Sequence, residues 1–128
     1  MKTTTVLILF ILLSALSGCL SSDKPQADIL EPRENSEAGI KITVTYLPDI
    51  TDATAFDIKV TSHMNYNDAF ANISYLRDSS GNTYKPLSYE GSGGHHASGV
   101  LRFPKIEGNK FELVIQDVAG VKERVFKW

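Results

Sequence analysis

From Gly39 onward apolar and polar residues alternate with a period of two. Ile40, Ile42, Val44 and Tyr46 are interleaved with Lys41, Thr43 and Thr45, the pattern of a strand buried on one face. Phe56, Ile58 and Val60 alternate in the same way with Asp57, Lys59 and Thr61, which carries His63 to the outward face at that strand's end. Pro48 to Asp52 turns the chain between the two. Met64 to Ala71, rich in Asn and Asp, reads as a crossing loop with room for a helical turn.

A third strand runs from Ile73 to Arg77. Asp78-Ser79-Ser80-Gly81-Asn82 ends it, because these residues favour a tight turn through side-chain bonds and positive backbone dihedrals. Thr83-Tyr84 restarts extended chain, and Pro86, which cannot donate to a ladder, argues against an uninterrupted central strand there. Val100 to Phe103, Phe111 to Ile115 and Arg124 to Trp128 supply three more strands, punctuated by Pro104, Gly108-Asn109 and Ala119-Gly120. Six or seven short strands at this spacing predict an all-β fold, an immunoglobulin-like antiparallel β-sandwich, with a small β-barrel as the alternative. Trp128 shares a strand face with Phe126 and is expected to close the core. Tyr66, Tyr75, Tyr84 and Tyr89 are expected in the core rather than on a recognition surface.

The first residues follow a different pattern. Lys2 precedes an unbroken apolar run, Val6 to Leu13, too short on its own to span the ~30 Å hydrocarbon layer of a membrane and typical of an export signal. Leu16-Ser17-Gly18-Cys19 follows and resembles the lipobox of prokaryotic lipoproteins, whose cysteine is acylated and becomes the mature N-terminus. The resemblance implies a signal peptide over residues 1–18, a lipid anchor at Cys19 and a domain on the extracytoplasmic side of the cell membrane. A diacylglyceryl group would hold it firmly, since each buried CH2 contributes about 0.8 kcal/mol and stable anchoring takes more than one chain. Ordinary secretory cleavage, or an uncleaved anchor, would also leave the domain outside.

Residues 19–38 are polar without a sustained period and read as a flexible tether, about 25 Å from end to end, ahead of a domain at 39–128. Cys19 is the single cysteine, so no intramolecular disulfide can form and the domain must rely on its core. Of the net charge of −2, the acidic excess lies in the tether; beyond Ala38, ten Lys and Arg balance ten Asp and Glu. No basic stripe is present for nucleic acid or anionic lipid to recognise.

Three longer stretches carry a second resemblance. Leu76-Arg77-Asp78-Ser79-Ser80-Gly81-Asn82-Thr83-Tyr84-Lys85-Pro86-Leu87, the run from Gly93-Gly94-His95-His96 through Leu101-Arg102-Phe103-Pro104, and the ending from Gln116 to Trp128 look like a family of small exported prokaryotic domains. In that family a Thr-His pair often ends the second strand; Ser62-His63 stands in the corresponding place. The resemblance implies the fold and export, and it carries no activity.

Candidate chemistry rests on the three histidines. His63 stands at a strand terminus, and His95-His96 follow Gly91-Ser92-Gly93-Gly94, whose glycines free the backbone for unusual dihedrals. Imidazole is a common ligand of zinc and copper. Three imidazoles with an open fourth position would suit an exchangeable site. Asp57, Asp68 and Glu90 are candidate fourth ligands, and Met64 beside His63 suggests a copper pair. Adjacent residues of a regular strand point to opposite faces, so His95 and His96 can share a ligand only if the loop leaves extended geometry. The same histidines could instead pin the loop or touch a partner directly.

Neither a nucleophile elbow, nor a Walker loop, nor paired cysteines at metal spacing occurs. No base and nucleophile can be named, so the expectation is a non-enzyme: a membrane-anchored binding module, with zinc or copper as a possible ligand, or an adaptor contacting another envelope protein. Asn72-Ile73-Ser74 fits the N-glycosylation acceptor pattern, in a place where the following strand could hide it.

Overall fold

The structure, a computed structural model, describes residues 27–128. The apolar run, the Leu16 to Cys19 motif and the first part of the expected tether lie outside these residues. After a short helical turn, α1 (Ala27–Leu30), the chain enters β1 (Arg33–Glu37), β2 (Ile40–Tyr46) and β3 (Thr54–Ser62). Burial along β2 and β3 alternates largely as their sequence does. A single turn of helix, α2 (Phe70–Ile73), leads into β4 (Ser74–Asp78), β5 (Thr83–Tyr84) and β6 (Ser88–Gly91). β7 (Ser98–Phe103), β8 (Phe111–Val118) and β9 (Val121–Lys127) complete the fold.

Two antiparallel sheets result, ordered β1-β2-β3-β7-β6 and β5-β4-β8-β9, and neither closes on itself. The protein is therefore a sandwich, not a barrel. β2-β3-β7-β6 against β4-β8-β9 reproduces the two-sheet strand order of an immunoglobulin-like domain. β1 and β5 are additions at sheet edges; β5 is the expected extended pair Thr83-Tyr84, and β1 and β6 bring the expected seven strands to nine among the described residues.

The domain begins earlier than the sequence suggested. Ala38 and Gly39, both at positive φ (51° and 75°), form a two-residue hairpin turn that pairs Glu37 with Ile40. Residues 33–37 of the expected tether thus belong to the sheet. Arg33-Glu34-Asn35-Ser36-Glu37 contains no apolar residue, so no hydrophobic period announces the strand.

Pro86 lies where the chain leaves β5 in one sheet and crosses to β6 in the other, so its missing N–H disrupts no ladder. Gly81 at φ 86° completes the turn after β4, and the Asp78 carboxylate accepts from the Ser80 and Asn82 backbone, the Asn82 amide and the Tyr84 hydroxyl.

Between the sheets, Ile40, Ile42, Val44, Phe56, Ile58, Leu101 and Phe103 meet Leu76, Leu113, Ile115 and Phe126, all buried. Each such side chain contributes roughly 1.5–3 kcal/mol on leaving water, which lets the domain stand without a disulfide. Trp128 closes one end as expected, its ring 5.0 Å from Phe56 and 5.5 Å from Phe111. Tyr66, Tyr84 and Tyr89 pack against the core, whereas Tyr75 makes an exposed bond to Glu123.

Arg124 is fully buried on the inner face of β9. Its Nη1 donates to Asn35 Oδ1 (2.6 Å) and the Ile40 carbonyl (3.2 Å). Its Nη2 donates to the carbonyls of Glu37 (2.9 Å) and Val118 (3.3 Å). Burial lowers its pKa below the ordinary guanidinium value, opposed by the charge of Glu37. These bonds tie β9 to the β1–β2 hairpin and join two sheet edges that share no ladder. No helix among the described residues is long and apolar enough to cross a membrane.

Candidate functional site

At the end of β3 the Ser62 hydroxyl donates to the Met64 carbonyl (2.7 Å) and accepts from the Met64 N–H (3.0 Å), folding His63 into a tight turn. His63 is exposed, as the strand parity predicts. The Val60 and Ser62 N–H groups donate to the carbonyls of Ala97 (2.9 Å) and His95 (2.8 Å). The glycine-histidine loop therefore lies alongside the end of β3, and all three histidines share one end of the sandwich.

Close backbone approach explains the first glycine. Gly91 pairs with Gly99 across β6 and β7, and a Cβ on Gly91 would stand 2.4 Å from the Gly99 Cα. Gly94, at φ 84°, leads into a turn through His95 and His96, so the loop does leave extended geometry.

Three side chains from elsewhere hold it. The Tyr66 hydroxyl donates to the Gly94 carbonyl (2.7 Å), and the Gly94 N–H donates to Asp68 Oδ2 (2.9 Å). Tyr89 donates to the Ser92 carbonyl (2.7 Å). Gly93 is packed so closely on Asp68 that a Cβ would stand 2.1 Å from Oδ2. Both tyrosine rings lean on buried Phe70, at 6.4 and 5.1 Å, which roots the pins in the core. Burial, then the negative charge of Asp68, pushes the Tyr66 pKa up to about 12, so the hydroxyl stays a donor. Tyr89 is raised by burial, then by Asp68 and Asp57.

His95 and His96 themselves face solvent. His95 Nε2 lies 3.4 Å from Asn65 Oδ1, and neither His63 nor His96 has a hydrogen-bond partner among the described residues. Met64 is 45 % exposed and lies over Gly39, rather than filling the core. Among the described residues no group of three or more His, Cys, Asp or Glu is placed to hold one metal ion. Asp68 is committed to Gly94, Asp57 lies 3.6 Å from Lys59, and Glu90 is exposed on β6. The three imidazoles share an end of the fold without converging on one point. Cys19, the expected lipidation site, lies outside the described residues.

No protein-family model, curated protein or solved structure matches this chain. The site is read from its own geometry.

An open groove of about 360 Å³ at the opposite end of the sandwich is lined by Arg77, Asp78, Lys110, Glu112, Lys127 and Trp128, among others. Its ionic groups largely satisfy one another: Arg77 and Lys127 both pair with Glu112, and Asp78 holds its own turn. The pinned loop remains the better candidate.

The sequence marks the glycines and histidines of the loop but not the side chains that pin it. Asp68 was legible only as a possible metal ligand, and Tyr66 and Tyr89 as core. Asp68 and Gly94 are 26 residues apart, and no local spacing signals their contact.

Proposed function

We propose that the protein is a membrane-tethered, non-catalytic binding domain on the extracytoplasmic side. The loop Gly91 to His96, with the turn His63 to Asn65, is its contact surface for another envelope protein. The lipobox resemblance at Leu16 to Cys19 supports the tether.

The observation that carries the contact surface is the loop's immobilisation. Tyr66, Asp68 and Tyr89 fix its backbone at three points while its histidines face water. A surface loop held in one shape gives up its conformational entropy before any partner arrives, which lowers the cost of association. Function borne by a loop on a rigid scaffold is a common arrangement in β-sandwiches. Zinc or copper at the histidines is the second reading, favoured by their shared end of the fold and by exposed Met64 beside them.

A photo-crosslinking residue placed at His96 of the full-length protein in its own membrane tests the contact. The expected result is one discrete cross-linked species, absent when the probe stands at Lys105 and lost on Asp68→Ala. Equal labelling from both positions would overturn the assignment. Titration of residues 27–128 with zinc and with copper tests the second reading: heat that disappears in His95→Ala/His96→Ala would move the assignment to metal.

A further inference from the structure

We infer that Asn72 is an N-glycosylation site that takes an oligosaccharide from a polyisoprenyl-phosphate or -pyrophosphate donor, an inference that rests on the export reading above. Two features of neighbouring residues point to it, one on each side of the junction between α2 and β4.

Asn72 stands on the single turn of α2. Phe70 is buried beneath the same turn and Ile73 is partly buried, while Asn72 is exposed and its side-chain amide has no partner among the described residues. Ser74 opens β4 and is only 5 % exposed, and its Oγ is buried without a hydrogen-bond partner. A hydroxyl left unsatisfied in this way is destabilising. Alanine would occupy the position without that cost, so the fold gives no reason for serine.

The pattern Asn-x-Ser does. A glycan acceptor needs a hydroxyl two residues after the asparagine, and it needs that hydroxyl before the strand folds over it. In this chain Ser74 is available during export and sequestered afterwards, while Asn72 stays at the surface where a bulky glycan fits. Asn35, Asn65, Asn67, Asn82 and Asn109 have no Ser or Thr in the corresponding position.

In the transfer, Asn72 Nδ2 bonds to the anomeric carbon of the first sugar. The bond from that carbon to the phosphate oxygen breaks, the isoprenyl phosphate leaves with the electron pair, and Nδ2 gives up one proton to a base of the transferase.

Peptide mass spectrometry on the full chain, recovered from the envelope fraction of its own host, is the test. The peptide containing Asn72 is expected to carry an added mass of whole sugar residues. That mass disappears in Asn72→Gln and Ser74→Ala and is retained in Ser74→Thr. Ser74→Ala is also expected to unfold in urea at a midpoint equal to or above that of the parent chain, which separates loss of the glycan from loss of the fold. Envelope-recovered chain with unmodified Asn72 would overturn the inference and leave the export reading standing. Unmodified chain confined to the cytoplasm would overturn both.

Discussion

Arg124 Nη1 lies 2.6 Å from Asn35 Oδ1, across 89 residues of sequence, and the bond joins the last strand to the first. The guanidinium is buried without a bonded carboxylate; carbonyl oxygens and one amide oxygen accept from Nη1 and Nη2, while Nε has no partner among the described residues. Arg124→Ala leaves these acceptors dry and opens a cavity. It is expected to lower the unfolding free energy by about 3 kcal/mol, read from urea titrations followed by Trp128 fluorescence. Asn35→Ala removes one bond and is expected to cost about 1 kcal/mol. If the two losses add in the double variant, the bond is not coupled as described.

The glycines of the histidine loop differ in what they tolerate. Gly94→Ala meets no atom within 4 Å but must hold positive φ, at a cost of about 1–2 kcal/mol. Gly91→Ala runs into Gly99 and Ser98 backbone, which cannot move aside without breaking the β6–β7 pairing. Thermal unfolding should therefore rank Gly91→Ala below Gly94→Ala. Gly93→Ala displaces only the Asp68 side chain; its expected signature is faster amide exchange at Gly94 with little change in melting temperature.

Alkaline pH should release the same loop. Tyr66 has its pKa raised to about 12 in the folded state, above the ordinary tyrosine value near 10. A raised value means that its contribution is fully present below pH ~10 and lost as pH climbs through the folded value. Tyrosinate absorbance is expected to show a late titration step absent in Tyr66→Phe. Exchange of the Gly94 amide is expected to accelerate over the same interval.

Acid acts through different residues. Bonds from Arg77 and then Lys127 hold the Glu112 carboxyl below its usual range. Lys41 and then Thr43 do so for Glu34, and Asn82 and Tyr84 for Asp78. Lowered values contribute stability above the unfolded carboxylate pKa near 4, and that stability is lost as pH falls through the folded values. Urea midpoints are expected to be flat above pH ~5 and to drop below pH ~4. Glu112→Gln, which has lost its ion pairs at every pH, should show a shallower drop.

Much of the fold is legible before any coordinates. Strands β2, β3, β4, β7, β8 and β9 each carry apolar residues on one face, and Asp78 to Asn82 and Ala119-Gly120 carry turn chemistry of their own. The strands that escape notice are β1 and β6, polar or short and at sheet edges, while β5 shows only as the two extended residues Thr83-Tyr84. Edge strands bury little, so their residues record little. The candidate site divides in the same way: glycines and histidines mark the loop, while two of the three side chains that pin it, Tyr66 and Asp68, come from a segment distant in sequence.

Arg124 marks the boundary between the two kinds of information. Period-two parity places it on the inner face with Phe126, yet its charge argues for solvent, and sequence alone does not decide between them. Alternation and turn residues determined the strands and the sandwich class, because both act over a few neighbouring residues. The sheet edges, the burial of Arg124, the pinning of the histidine loop and the sequestration of Ser74 were decided by tertiary structure, because each depends on an atom supplied from a remote part of the chain.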